Sequence, residues 1–323
     1  MKKYLTYDNV ALVPQFSEVT SRSKCQTESW LGPHQFKLPV MPSNMKCVID
    51  DKLAWNLSDS KYFYVMHRFL CNKKFIYNAN KSNYRVISIS IGVKQEDYRL
   101  IDYIVENKFR VDYITIDIAH GHSAAMLQML TYVRGKLPKT FIIAGNIATP
   151  EAYLDMYYNG ADAVKVGIGQ GAACTTKLKT GFTMPMFTCI QNIRKEYNEL
   201  ARKKVLNPPV IIADGGIKYH GDIAKALVAG AHWVMAGGIF AQCTDSPAPT
   251  DQATGEKVYY GSASAINKGE YKHVEGKSVN MSCTGITYLQ TLNEITEDLK
   301  SAISYAGKTD ALSLYNIDYI RVN

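Results

Sequence analysis

Short runs of consecutive apolar residues, each followed by a turn and a stretch with helical spacing of apolar positions, recur along this chain of 323 residues. The runs predict strands at Leu38–Pro42, Tyr62–Met66, Val86–Ser90, Tyr113–Ile118, Thr140–Ala144, Ala163–Val166, Val210–Ala213 and Trp233–Met235. Segments such as FIIAG and VIIADG are apolar at successive positions rather than alternate ones. That pattern suits a parallel strand covered on both faces. Helices are predicted over Gln95–Asn107, Ser123–Arg134, Pro150–Asn159, Met186–Lys203, Gly221–Ala229 and Tyr288–Tyr305. Thr149-Pro150-Glu151 has the order of N-cap, first-turn proline and first-turn acid, and the pairs Asn159-Gly160 and Ala229-Gly230 supply stops. Eight strands alternating with helices favour a closed (β/α)8 barrel, although an open doubly wound sheet shares the alternation.

No linker, repeat or low-complexity segment divides the chain, so residues 1–323 are expected to form one barrel domain. A polar stretch, Gln242–Tyr260, opens an excursion expected to act as a flap over about 242–285; a last helix and tail fill 286–323.

Composition narrows the classes. With 46% hydrophobic and 20% charged residues the chain is of ordinary globular type. Its net charge of +8 comes from 37 Lys and Arg against 29 Asp and Glu. A basic balance suits nucleic acid, a membrane surface or an anionic small molecule; because these bases are scattered rather than gathered in a block or stripe, nucleic acid is the weaker reading, and charge alone does not decide. Seven cysteines without CxxC pairs fit a reducing cytoplasm better than a disulfide framework. No signal-peptide core and no run of about 18 apolar residues suggests a membrane.

In such a barrel the chemistry sits at the C-terminal ends of the strands. Four such ends carry chemically informative residues. After the sixth strand comes KVGIGQGAACTT, a glycine-rich loop over Lys165–Thr176 that ends in Cys174 and the threonines. Most cytosolic cysteines are core filler, but one on a glycine-rich loop at a strand end is placed as a nucleophile. Asp214-Gly215-Gly216 ends the seventh strand and Gly237-Gly238 the eighth, where barrels often bind phosphate on free backbone amides. Glycine pairs also make plain tight turns; here two fall at consecutive strand ends. The fourth segment, Asp117-Ile118-Ala119-His120-Gly121-His122-Ser123, has two histidines without a third ligand in register, so His122 and Ser123 are expected to cap and Asp117 to contact ligand. Arg68 in Met66-His67-Arg68 either meets an anionic ligand or is solvated.

At these residues the sequence resembles the IMP dehydrogenase/GMP reductase family along nearly its whole length. The opening Tyr7-Asp8-Asn9-Val10, the segment KVGIGQGAACTT, and IIADGGIKYHGDIAKAL and VMAGGIFA carry the resemblance in order. The dehydrogenase branch usually inserts a pair of CBS domains of about 120 residues, for which this chain has no room. Its Arg-Tyr pair on a mobile flap is also missing: the corresponding region reads GSAS from Gly261 and VEGK from Val274. Those segments, with Ser304-Tyr305-Ala306-Gly307, are similar to the bacterial form of the reductase branch.

The resemblance implies NADPH-dependent reductive deamination of GMP to IMP and ammonia in a cytoplasmic homotetramer. It implies that Cys174 attacks C2 of guanine, with Thr176 and Glu275 handling the proton for ammonia departure. Asp214, Gly215, Gly216, Gly237, Gly238, Gly261 and Ser262 would hold GMP. Ser21, Arg22, Arg68, Asp117, Ile118, Ala119, Ile168, Gly169, Tyr305 and Gly307 would contact NADPH, partly from a neighbouring subunit. Carbonyls of Gly169, Gly171 and Cys174 would hold K+. A dehydrogenase lacking its insert, or a catalytically silent nucleotide-binding barrel, are the alternatives. There are departures from the family: Thr180–Phe187 reads TGFTMPMF where related enzymes are glycine-rich, and Gln170 stands where proline is frequent.

Overall fold

The structure is a computed structural model that describes residues 4–69, 72–262, 264 and 276–322. Seven strands form one curled sheet in the spatial order Val40–Pro42, Trp233–Ala236, Val210–Asp214, Ala163–Val166, Phe141–Ile147, Tyr113–Asp117, Ser88–Ile91. Every pairing in it is parallel. Each strand is followed by a helix that covers its outer face, the arrangement of a (β/α)8 barrel.

One expected strand is corrected. Tyr62–Met66 keeps the place of the missing barrel strand, but it joins its neighbour through a single parallel bridge, Met66 to Ile89. The reason is a side chain. The Tyr64 hydroxyl donates to the Val86 carbonyl at 2.9 Å and accepts the Ser88 amide at 3.4 Å, occupying groups that a ladder would use. All five residues are nonetheless buried, so the apolar run reports their burial correctly.

Two helices between the first and third barrel positions, Asp51–Asp59 and Asn72–Lys81, were not predicted. The first starts where Asp50 accepts the Leu53 amide at 2.8 Å, an N-cap without apolar periodicity long enough to flag it. Among the described residues no inserted domain stands between these units. The Thr149 and Ser123 caps form as expected, accepting from Ala152 and Met126 respectively. The polar excursion is more ordered than its composition suggests: Lys257–Tyr260 pairs antiparallel with Ser278–Met281.

Period-two alternation sorts the strand residues into two cores. Outward residues pack against helices; inward ones, including Met41, Tyr113, Ile143, Ala163, Ile212, Trp233 and Met235, fill the barrel. Its lower end is closed by the hairpin Ser29–Leu31 and His34–Phe36. There the Trp233 indole donates to the Trp30 carbonyl at 3.1 Å and the Tyr113 hydroxyl to that of Leu31 at 2.6 Å. The same inward face, followed toward the C-terminal ends, turns polar: Asp117, Lys165 and Asp214.

Candidate active site

The cysteine loop leaves the Ala163–Val166 strand and ends in a short helix, Thr176–Thr180. A tight turn, with the Cys174 amide donating to the Gly171 carbonyl at 3.0 Å, lifts Cys174 out of the core. Its Sγ lies 3.2 Å from Thr176 Oγ1, and the residue is partly exposed. Other cysteines contrast with it. Burial pushes the thiols of Cys47, Cys189 and Cys243 up to about 11, 12 and 11, which keeps them protonated and inert. Cys25 is buried too, Cys283 is exposed away from any such loop, and Cys71 lies outside the described residues. Glu275, the expected partner of Thr176, also lies outside the described residues.

The glycine loops meet around the cysteine. Gly215 and Gly216 adopt left-handed φ of 109° and 81°, which turn the chain sharply as it leaves the Val210–Asp214 strand. A Cβ on Gly215 would lie 3.3 Å from the Gly171 amide, so this loop and the cysteine loop abut. At Gly237 a Cβ would run into the Tyr259 hydroxyl, which holds that tyrosine directly over the second loop. Gly238 lies beneath Met281 of the hairpin. The hairpin docks on the nucleophile: Lys277 donates to the Ala173 carbonyl at 2.9 Å, and Cys174 bridges Gly276. Gly261 packs against the Ala173 carbonyl, with Ser262 next to it. Expected nucleophile, phosphate loops and flap base therefore surround one mouth.

Of the residues expected to contact cofactor, Asp117 and Arg68 are at this mouth. Ile118 exchanges backbone bonds with Gly145 and Asn146, which pins the loop that presents Asp117, Ile118 and Ala119. Ile168 and Gly169 lie on the cysteine loop itself; Thr183 donates to the Ile168 carbonyl at 2.9 Å and accepts from Gln170 at 2.6 Å. The Arg68 guanidinium stacks 4.7 Å from the Phe69 ring centre, and its buried Nε has no partner among the described residues. Ser21, Arg22, Tyr305 and Gly307 form a separate group on the outer wall. Arg22 donates to Ser301 at 2.9 Å and lies 5.9 Å from the Tyr305 ring centre, while Gly307 packs on the Phe16 carbonyl. Tyr305 is 61% exposed, so its ring is open to a ligand or a second subunit.

Three residues at the mouth were missed by sequence reasoning: Lys165, Asn146 and Asn44. Lys165 is buried and bonds Asp117 at 2.6 Å and Asp214 at 3.1 Å. Asn146 donates to Asp214 Oδ2 at 2.9 Å and to the Gly167 carbonyl at 2.7 Å; Asn44 donates to Asp117 at 3.1 Å. Burial alone would raise the Asp117 carboxyl, but Lys165, Arg68 and Asn44 together hold it below the usual carboxylate range. Burial likewise opposes charge on Lys165, and the two carboxylates outweigh it, so its ammonium is held more firmly than usual. The sequence did carry a signal here: Lys165 alternates with Ala163 toward the barrel interior, and a buried lysine needs a partner.

The loop also offers oxygen donors for a hard cation. The Gly171 carbonyl uses one lone pair on Cys174, and the neighbouring Thr175 hydroxyl is buried without a partner among the described residues. The carbonyls of Gly169, Gly171 and Cys174 are chemically suited to a monovalent ion of that kind.

Comparison with known proteins places the chain in a family. The family model described as the IMP dehydrogenase / GMP reductase domain matches residues 4–322. A protein named GMP reductase from Oenococcus oeni (strain ATCC BAA-331 / PSU-1) is 47% identical over 320 residues, covering 98% of this chain and 96% of that protein. One of the same name from Bacillus subtilis (strain 168) is 44% identical over 330 residues, covering 100% and 97%. Another, from Acidovorax sp. (strain JS42), is 46% identical over 317 residues, covering 97% and 94%. With a family model spanning almost every residue and relatives matched over nearly their full length, the chain belongs to the IMP dehydrogenase/GMP reductase family.

Proposed function

We propose that the protein is a GMP reductase, converting GMP to IMP and ammonia with NADPH as reductant. The observation that carries this reading is the partly exposed Cys174 thiol. It lies 3.2 Å from a threonine hydroxyl, on a loop that abuts the Asp214-Gly215-Gly216 turn.

The phosphate of GMP rests on the amides after Asp214 and Gly237, with Tyr259 above the second loop. The Asp214 carboxylate accepts from the ribose hydroxyls. Its Oδ2 already serves Lys165 and Asn146, so Oδ1 faces the ligand. The Cys174 sulfur adds to C2 of guanine. The exocyclic amine takes up a proton and leaves as ammonia, so that a C2–S bond replaces the C2–N bond. Thr176, beside the sulfur, relays the proton, and Glu275 on the flap of residues 242–285 supplies it. When bound, NADPH supplies a hydride to that carbon, and expulsion of the thiolate then gives IMP. Asp117, Ile118, Ala119, Arg68, Ile168 and Gly169 would hold NADPH at the mouth. Ser21, Arg22, Tyr305 and Gly307 on the outer wall would contact NADPH held by a neighbouring subunit of a homotetramer. An Arg22 guanidinium there suits the 2′-phosphate that distinguishes NADPH from NADH. K+ would be held by the carbonyls of Gly169, Gly171 and Cys174, which would fix the cysteine loop.

The test is direct. Protein incubated with GMP and NADPH should consume the reduced cofactor and release ammonia in equal amounts. Production of NADH from IMP and NAD, with no reaction of GMP, would instead mark the protein as a dehydrogenase.

A further inference from the structure

Among the described residues, Lys165 is a buried cation at the mouth that the proposed chemistry leaves unused. It is 2% exposed, and two of its three N–H donors go to carboxylates on different strands. The third is nearest to the Met235 sulfur at 3.9 Å, a weak acceptor. Asp117 and Asp214 are therefore separated by no more than two hydrogen bonds through one nitrogen. In the proposed reading one of them serves the cofactor and the other the nucleotide.

We infer that Lys165 is a positioning residue that couples the two sides of the site: its ammonium draws both carboxylates onto one nitrogen and keeps them aimed outward, each depending on the other through it. The inference rests on the nucleotide reading above. Two carboxylates this close repel, and the cation between them is what holds them together. Without that cation Asp214 turns away from Asp117 and carries its acceptor away from the ribose hydroxyls. Asn146 and Asn44 orient the carboxylates but, being neutral, cannot replace the charge. A residue placed on the cofactor side thus controls nucleotide affinity through a group that touches neither ligand.

The test measures GMP binding by calorimetry to the full chain without NADPH. Lys165→Met should weaken GMP by about tenfold or more, the cost of disturbing a buried charge-assisted bond. Adding Asp117→Asn to that variant removes the repulsion and should recover most of the loss, although Asp117 lies on the cofactor side. A merely structural lysine would not show recovery from a second lost partner. If Lys165→Met does not fold, the doubly neutral variant is compared with Asp117→Asn alone: near-equal affinity supports the coupling, a gap of about tenfold refutes it. Lys165→Met binding GMP like wild type, or a folded double variant that recovers nothing, overturns the proposal. Wild type failing to bind GMP is a distinct result, which overturns the nucleotide reading beneath it.

Discussion

At the scale of single residues, the site separates groups that differ only in surroundings. Cys174 is chemically the same as Cys47, Cys189 and Cys243, yet those three are sealed in apolar packing and kept as thiols. Cys174→Ala is expected to lower turnover by roughly a thousandfold or more while GMP affinity stays within about tenfold, read by steady-state rates and calorimetry. Backbone space is equally selective: Gly237→Ala pushes a methyl into the Tyr259 hydroxyl and should weaken GMP about tenfold or more, whereas Tyr259→Phe in the same background relieves part of that loss. Titration adds an independent check. Burial, with Lys46 nearby, lowers the pKa of His67 to about 4 from its ordinary 6.5. Between those values the unfolded chain binds more protons than the folded one, so stability rises with pH across the window and is lost on acidification through it. Urea midpoints measured across that range should slope accordingly, and His67→Gln should flatten the slope.

At the scale of elements, apolar runs located the sheet because parallel strands in a barrel bury both faces and leave an unbroken signature. The Tyr62–Met66 segment shows where that signature misleads: burial was legible, but ladder pairing was not, because the Tyr64 hydroxyl takes the neighbour's backbone groups. The Asp51–Asp59 helix escaped notice because its start is marked by one capping aspartate rather than by a long periodic face. For the site, the glycine-rich strand ends were readable from sequence; the inward register of Lys165 signalled a buried lysine in need of a partner, but not that Asp117 and Asp214 supply it, because the three come from strands far apart in the chain. Two departures from the family pattern, Gln170 and Thr183, turn out to be one contact, at 2.6 Å, that fastens the start of the cysteine loop to the stretch after it. Thr183→Gly should therefore free that stretch, seen as faster cleavage by limited proteolysis within residues 168–185, while the melting temperature changes little because both side chains are on the surface.

At the scale of the whole molecule, among the described residues no helix is long and apolar enough to cross a membrane. The groups proposed for NADPH divide between the mouth and an outer wall that carries the exposed Tyr305 beside Arg22. If neighbouring barrels complete each other's cofactor site, Arg22→Ala should weaken NADPH by about tenfold and leave GMP binding unchanged, and dilution below the tetramer's dissociation range should reduce turnover per subunit. All of this depends on a covalent bond between one sulfur and one purine carbon. The most direct measurement is the mass of the peptide bearing Cys174 after acid quenching during turnover of GMP with NADPH. An increment equal to GMP less ammonia, located on Cys174, is predicted; an unmodified Cys174 peptide throughout turnover, with undiminished rate in Cys174→Ala, contradicts it.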